Sequence, residues 1–128
     1  MISKLLLTAA LSGVGGCSTL GELVSVYFAP GDRDLMLDIA ACESSADPDD
    51  VFSTATNPKS GAAGWFQHMP HLFPSRAASA GFEDANPYNP TQNVAVATHI
   101  YYTLNSNERW GGASHWYPSN LNGCWELP

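Results

Sequence analysis

Residues 32–45, DRDLMLDIAACESS, are the stretch that most clearly predicts a helix and the direction it faces. Asp32 is a favourable N-cap residue, and Asp34 would lie in the first turn, where the helix dipole favours an anion. The residues at positions i, i+4, i+7 and i+8 share one face of this helix and are Leu35, Ile39, Cys42 and Glu43. An acid at the end of an apolar face is unusual, because partial burial disfavours its charged form and raises its pKa. Glu43 is therefore our candidate for a general acid that works near neutral pH.

The remaining patterns predict a mainly α fold. Residues 74–81 fit a short helix, with Pro74 near its start and Gly81 at its end. The longest periodic segment is NPTQNVAVATHIYYTLNSN, residues 89–107, in which Asn89 can cap a helix that begins at Pro90. Strand signals are scarce, although a minor β-hairpin around residues 50–67 is compatible with the sequence.

Length and charge restrict the function further. A chain of 128 residues is enough for one domain and one core, and we expect a monomer. The net charge of −7 and the lack of a basic stripe argue against nucleic acid as a partner. None of the four histidines stands in an H-E-x-x-H arrangement, so we expect no metal and no cofactor.

The first residues, 1–16, predict a signal peptide of the lipoprotein type. Their apolar stretch of about ten residues is too short to cross a bilayer core of roughly 30 Å as a helix. The run VGGC, residues 14–17, is similar to the bacterial lipobox, which would make Cys17 a lipidated residue and allow attachment to a membrane. Plain secretion and an uncleaved, buried segment are the alternatives. Residues 17–30 form a lead-in that either packs on the domain or serves as a linker, and the domain itself takes residues 31–128.

The cysteines support export. If Cys17 carries lipid, Cys42 and Cys124 remain as a pair that can form a disulfide in an oxidising compartment. This bond would tie the end of the chain to the segment that carries Glu43, whereas two unlinked thiols are the alternative. We therefore expect a protein of the cell envelope, either lipid-anchored or secreted.

Three motifs follow one another along the chain: CES at 42–44, SGAAGWFQHMP at 60–70, and NVAVATHIY at 93–101. Their order and spacing resemble the lysozyme-like lytic transglycosylases of the soluble lytic transglycosylase type (SLT domain), which are close to the resuscitation-promoting factors. The resemblance covers roughly residues 32–125. It implies a small α+β lysozyme-like helical domain with a substrate groove that binds the glycan strands of peptidoglycan.

The resemblance also implies a mechanism. Glu43 would act first as acid and then as base on the β-1,4 bond between N-acetylmuramic acid and N-acetylglucosamine. The acetamido group of the substrate would stabilise the positive charge, and the muramyl 6-hydroxyl would attack to give a 1,6-anhydro end. A mechanism with one acid fits the sequence, because no second acid stands in an equally convincing place. Five of the other acids lie in turn-like runs, at Asp47, Asp49, Asp50, Glu83 and Asp84.

The substrate-binding residues that the resemblance implies are Ser44, Gly64, Gln67 and Tyr101. Ser44 has a structural alternative as a hydroxyl bonded to its own helix, and Tyr101 has one as a core aromatic. Gln67 has a purely structural role as its alternative. The later A-Y-N motif of the family is replaced by ASHWY at 113–117, so Trp116 or Tyr117 would form a stacking wall for sugar rings instead.

Three alternatives to this function remain at the level of sequence. The same site could cleave by hydrolysis, as in a lysozyme. The domain could be a weakly active or non-catalytic module that binds peptidoglycan. It could also be a structural lipoprotein with a buried glutamate, which would bind no saccharide.

Overall fold

The computed structural model describes residues 18–103 and 111–127, and in these ranges the domain is mainly helical and contains no β-sheet. Its α-helices are α1 (Leu20–Tyr27), α2 (Arg33–Ser44), α3 (Phe73–Ser79), α4 (Pro90–Thr103) and α5 (Tyr117–Leu121). Two 3-10 helices, Pro30–Asp32 and Gly111–Trp116, precede α2 and α5. The mainly α fold class predicted from the sequence is confirmed. The predicted signal peptide and Cys17 lie outside the described residues.

The region of the expected hairpin forms no strands. It contains two isolated antiparallel bridges, Thr56 with Ala63 and Ala63 with His68. Ala63 therefore pairs on both sides, and this double pairing folds residues 56–68 into a compact loop. The sequence signal for a hairpin here reflects local turns and bridges rather than a sheet.

Helix α1 shows what happens to the lead-in segment. Thr19 and Glu22 form a capping box, in which the Thr19 hydroxyl accepts from the Glu22 N–H at 3.1 Å and Glu22 accepts from the Thr19 N–H at 3.0 Å. Leu20, Leu23 and Val24 are fully buried in the core. Of the two alternatives for this segment, the structure shows packing, because α1 contributes one wall of the core.

Helix α2 matches the predicted stretch closely. It ends where Ser45 takes a left-handed conformation with φ of 59°. Asp32 occupies the predicted N-cap position. The prediction that its side chain caps the helix is wrong, because the side chain makes no capping hydrogen bond. The carboxylate instead accepts from the hydroxyls of Tyr101 at 3.0 Å and Tyr102 at 2.5 Å. Asp32 therefore ties the start of α2 to the end of α4.

Helix α4 lies at the centre of the domain. Its fully buried apolar residues are Val94, Val96, Ala97 and Ile100. The start follows the prediction, because the Asn89 side chain accepts from the Gln92 N–H at 3.0 Å and Pro90 is the first helical residue. Burial on several sides of α4 makes it the element against which the other parts of the domain are placed.

Within the described ranges, every helix is too short or too polar to cross a membrane.

Candidate active site

Glu43 lies in an open groove of about 310 Å³. The groove is formed by the end of α2, the loop after it, and the segment around α5. Its lining residues are Glu43, Asn57, Ser60, Ala62, Gln67, Met69, His115, Trp116 and Pro118. Of the predicted site residues, the structure therefore brings Glu43, Gln67 and Trp116 together in one groove.

The carboxyl group of Glu43 has an environment suited to holding a proton. It is half-buried in the last turn of α2. Burial raises the pKa of Glu43 because the charged form loses hydration, and a hydrogen bond with Ser119 opposes this rise without cancelling it. A glutamic acid in such a place can donate a proton to a leaving group and later accept one.

Gly64 is required by the packing of the loop beside Glu43. Its φ is +79°, a conformation that residues with a side chain rarely adopt. A Cβ at this position would lie 2.1 Å from Nδ2 of Asn93 and 2.6 Å from both the Pro87 carbonyl oxygen and the Ser53 hydroxyl. A side chain at position 64 is therefore excluded by neighbouring protein atoms.

Asn93 holds this loop from within the core. It is fully buried, and its Oδ1 accepts from the Phe66 N–H at 3.1 Å. Its Nδ2 donates to the carbonyl oxygens of Ala63 at 3.2 Å and Pro87 at 2.8 Å. One side chain thus bonds three backbone groups, of which the Ala63 carbonyl oxygen also accepts from the His68 N–H at 3.0 Å.

His68 anchors the same loop on its other side. Its Nε2 lies 2.8 Å from the Asn93 carbonyl oxygen, which can only accept, so Nε2 carries the hydrogen. Burial lowers the pKa of His68 to about 4, and the ring is therefore neutral near pH 7. The unprotonated Nδ1 is buried without a partner among the described atoms.

Gln67 faces the groove with one end of its amide already engaged. Its φ is 53°, and its Nε2 donates to the carbonyl oxygens of Gly64 at 3.0 Å and Ala55 at 3.3 Å. Both amide hydrogens are used in these bonds, and the orientation of Oε1 is thereby fixed. In this arrangement Gln67 can offer a ligand an acceptor but no donor.

Ser44 makes contacts of a structural kind. Its hydroxyl lies 3.0 Å from the Ala40 carbonyl oxygen and 2.8 Å from that of Trp65, and it can donate to either. The first contact is the helix bond considered as its structural alternative. The second joins α2 to the loop that follows Gly64. Ser44 is not among the residues that line the groove.

Tyr101, for which the resemblance implies substrate binding, contacts residues at the start of α2 and just after α1. Its hydroxyl donates to Asp32, and its ring packs edge-on against Phe28 with 5.8 Å between centroids. Burial and the carboxylate of Asp32 raise the pKa of Tyr101 to about 12. Tyr101 is not a groove-lining residue and supports the junction of α1, α2 and α4.

Trp116 lines the groove with only a small part of its ring. It is 2% exposed, and its Nε1 donates to the Phe66 carbonyl oxygen at 3.2 Å. The ring also packs against Phe66 with 5.8 Å between centroids. Trp116 therefore supports the groove floor more than it offers a free face for stacking. Tyr117 begins α5, and its side chain lies outside the described part of the structure.

Sequence reasoning missed several groove residues, of which His115, Asn57 and Ser60 carry polar groups. Burial lowers the pKa of His115 to about 4, so it faces the groove as a neutral ring. Ser60 stands inside the quoted SGAAGWFQHMP motif, and that position was a usable signal. His115 stands inside the quoted ASHWY stretch and had the same kind of signal. Asn57 had none, because it reaches the groove through a loop whose course the sequence does not specify.

A disulfide joins Cys42 and Cys124, with 5.9 Å between their Cα atoms. It links the residue directly before Glu43 to the closing segment of the chain, as the cysteine count suggested. Within residues 18–103 and 111–127, no three His, Cys, Asp or Glu side chains come together in a way that could hold a metal ion.

A comparison with known protein families matches residues 30–117 to the family described as transglycosylase SLT domain. No significant match was found among curated proteins or among solved structures. The family match covers more than half of the chain and includes Glu43, the loop at 60–70 and α4. This chain therefore belongs to the transglycosylase SLT domain family, whose members are generally lytic transglycosylases that cleave peptidoglycan.

Proposed function

We propose that this protein cleaves the β-1,4 bond between N-acetylmuramic acid and N-acetylglucosamine, with Glu43 as its acid and base. Membership of the SLT family implies the coarser activity, cleavage of peptidoglycan by a transglycosylase. The observation that carries the finer proposal is the half-buried Glu43, whose pKa is raised, in a groove that also presents Gln67. This is the protonation state that a general acid needs before the bond breaks.

One carboxyl group does the proton transfers in this proposal. Among the described residues that line the groove, Glu43 is the one carboxylic acid. Glycosidases with two acids keep them within roughly 10 Å of each other across the scissile bond, and substrate assistance is the known exception. We therefore assign the stabilisation of the sugar cation to the acetamido group of the substrate, and the final attack to the muramyl 6-hydroxyl.

Gln67 is proposed to orient the substrate. Its Oε1 can accept from the N–H of an acetamido group or from a sugar hydroxyl. Asn57 and Ser60 add polar groups nearby in the groove. We retain five further residues from the sequence prediction. Three of them support the site indirectly through the contacts described above, namely Ser44, Gly64 and Tyr101. The other two, Trp116 and Tyr117, keep their predicted role in substrate binding.

The chain is proposed to work outside the cytoplasm as a monomer. A domain that acts on peptidoglycan and carries a disulfide suggests this location. Attachment to a membrane through a lipid on Cys17, after removal of residues 1–16, is the arrangement we favour over plain secretion. Mass spectrometry of the N-terminal peptide from the native host would distinguish the two.

Digestion of purified peptidoglycan by the wild type and by Glu43→Gln tests the proposal. We expect a loss of roughly 10²- to 10⁴-fold in rate, because the amide cannot transfer the proton. The matched control is Asp38→Asn, an exposed acid on the same helix, which should cleave at the wild-type rate.

The masses of the products distinguish a lytic transglycosylase from a lysozyme. A 1,6-anhydro end is one water lighter than a hydrolytic end, so the heavier product would assign a lysozyme. Wild-type protein that binds peptidoglycan without cleaving it would assign a binding module. A correctly folded Glu43→Gln variant with full activity would remove Glu43 from the mechanism.

A further inference from the structure

Ser119 lies in α5, within the closing segment at residues 111–127 that lines one side of the groove. It accepts a hydrogen bond from Nε1 of Trp125 at 2.7 Å and donates to the carbonyl oxygen of Trp116 at 2.9 Å. Helix α5 packs against α2, which carries Glu43, and the Ser119 side chain lowers the pKa of the Glu43 carboxyl group as its hydrogen-bond partner. Ser119 lies two residues beyond the family match, which ends at residue 117.

The hydrogen-bonding capacity of a hydroxyl limits what Ser119 can do for Glu43. A serine hydroxyl has one hydrogen and two lone pairs. Trp125 occupies one lone pair and the Trp116 carbonyl oxygen takes the hydrogen, so the second lone pair can accept from a protonated Glu43. When Glu43 is ionised, rotation about the Cβ–Oγ bond turns the hydrogen toward the carboxylate instead. Ser119 can therefore hydrogen bond with Glu43 in both protonation states of the carboxyl group. Its hydrogen points to the Trp116 carbonyl oxygen when Glu43 is protonated and to the carboxylate when Glu43 is ionised.

We propose that Ser119 is a positioning residue for Glu43, holding its carboxyl group in both the acid and the base step while Trp125 fixes the serine oxygen. This inference rests on the proposed function. It adds how the carboxyl group of Glu43 is positioned, whereas the proposed function states which bond is cleaved.

The disulfide closes this arrangement into a ring. Cys42 directly precedes Glu43, and Cys124 directly precedes Trp125, so the S–S bond joins the two ends of the hydrogen-bonded path. Trp125 is 2% exposed, and its carbonyl oxygen accepts from Nδ2 of Asn120 at 2.8 Å. The buried Trp125 therefore holds the serine oxygen in place on the side of α5 that faces α2.

The other titratable groups around Glu43 bear on any pH measurement. Among the described residues, His115 shares the groove lining with Glu43, and burial lowers its pKa to about 4. Arg76, from α3, acts on His115 through its charge. His115 is therefore neutral above about pH 5, and an alkaline limb of activity reports on Glu43 rather than on the histidine.

The test uses Ser119→Ala, Ser119→Thr and Trp125→Phe in the full chain. Its readouts are the pH profile of peptidoglycan cleavage and the titration of Glu43 followed by carbon NMR of its carboxyl group. Ser119→Ala should lower cleavage about tenfold, the effect of one hydrogen bond to a charged group. It should also move the alkaline limb and the NMR titration of Glu43 to higher pH, because the bond that lowers its pKa is lost.

The two companion variants separate positioning from folding. Ser119→Thr keeps the hydroxyl and should restore the titration of Glu43. Trp125→Phe keeps a buried ring but removes the donor to the serine oxygen, so Glu43 should again titrate differently from wild type. The matched control is Ser79→Ala, which removes a hydroxyl bonded to a carbonyl oxygen of α3, that of Ser75, and should leave the titration unchanged.

Two results would overturn the inference. Glu43 could titrate as in the wild type in both Ser119→Ala and Trp125→Phe, or Ser119→Thr could fail to restore it in folded protein. If Ser119→Ala does not fold, Trp125→Phe decides alone. A wild type that cleaves no peptidoglycan removes the proposed function, yet the NMR titration would still support or reject Ser119 as the partner of Glu43.

Discussion

The loop at residues 60–70 and the closing segment at residues 111–127 both line the groove, but they are held in different ways. The loop is fixed through its backbone, by Gly64 at positive φ and by Asn93 bonded to three backbone groups. The closing segment is fixed through side chains, by the disulfide at Cys124 and by the indole groups of Trp116 and Trp125.

This difference explains why the family motif lies in the loop. A backbone that needs positive φ and no Cβ admits one residue type, and a buried amide with three partners admits few. Burial of apolar side chains, in contrast, can be met by many combinations of residues. The loop is therefore recognisable in a sequence, whereas the closing segment is recognisable only by its cysteine.

Removal of the disulfide is the strongest way to break this contrast. The double variant Cys42→Ser, Cys124→Ser should lower the free energy of unfolding by about 4.5 kcal/mol, since a closed loop with a sequence separation of 82 loses its constraint on the unfolded chain. Urea unfolding in oxidising buffer measures it. An unchanged midpoint would mean that the closing segment is held by its tryptophans alone.

Substitution of Gly64 tests the loop in the same terms. Gly64→Ala should cost about 4 kcal/mol, from positive φ and from contacts that force Asn93 and Pro87 to shift. Gly81→Ala is the matched control, because its φ is +97° and nothing lies within 4 Å of the added Cβ. It should cost only about 1 kcal/mol. Equal losses in the two variants would show that the packing around Gly64 contributes nothing.

Acid should weaken the loop through His68. The pKa of His68 is lowered by burial to about 4 in the folded protein, against an ordinary value of 6.5. Between about pH 6.5 and pH 4 the unfolded chain binds a proton that the folded chain does not, so the free energy of unfolding falls as pH is lowered, by about 3 kcal/mol at most.

Thermal unfolding at several pH values measures this effect. The variant His68→Gln should flatten the slope over that window, leaving the contribution of His115, which has the same sign. His71→Gln, at an exposed position of the neighbouring segment, is the control. A slope that is unchanged in His68→Gln would exclude His68 as its source.

The sequence predicted the helices whose apolar residues repeat regularly. Residues 32–45 and the segment from Pro90 were placed correctly, because burial of one face imposes a period that the sequence records. For residues 17–30 the sequence is compatible with packing on the domain and with a linker. The core residues of helix α1, Leu20, Leu23 and Val24, span too short a stretch to establish a period.

The site was predictable where its residues belong to the family motifs. Glu43 and Gln67 were placed by motif, and both line the groove. Tyr101 is predicted to bind substrate, yet its hydroxyl donates to Asp32, because residue spacing on α4 does not specify which neighbouring side chain a tyrosine hydroxyl reaches. Ser119 had no sequence signal, since its role depends on the position of Trp125, which only the folded chain determines.

Asn93 has a consequence for the order in which the domain assembles. Its side chain joins α4 to Phe66 and Ala63, which lie 27 and 30 positions earlier in the chain. Contacts of this separation form only after a large loop has closed, so the groove loop should become ordered together with α4 and not before it. In hydrogen exchange, the backbone amides of Trp65 and Phe66 should then open with the slowest amides of α4, although they belong to a segment without regular secondary structure.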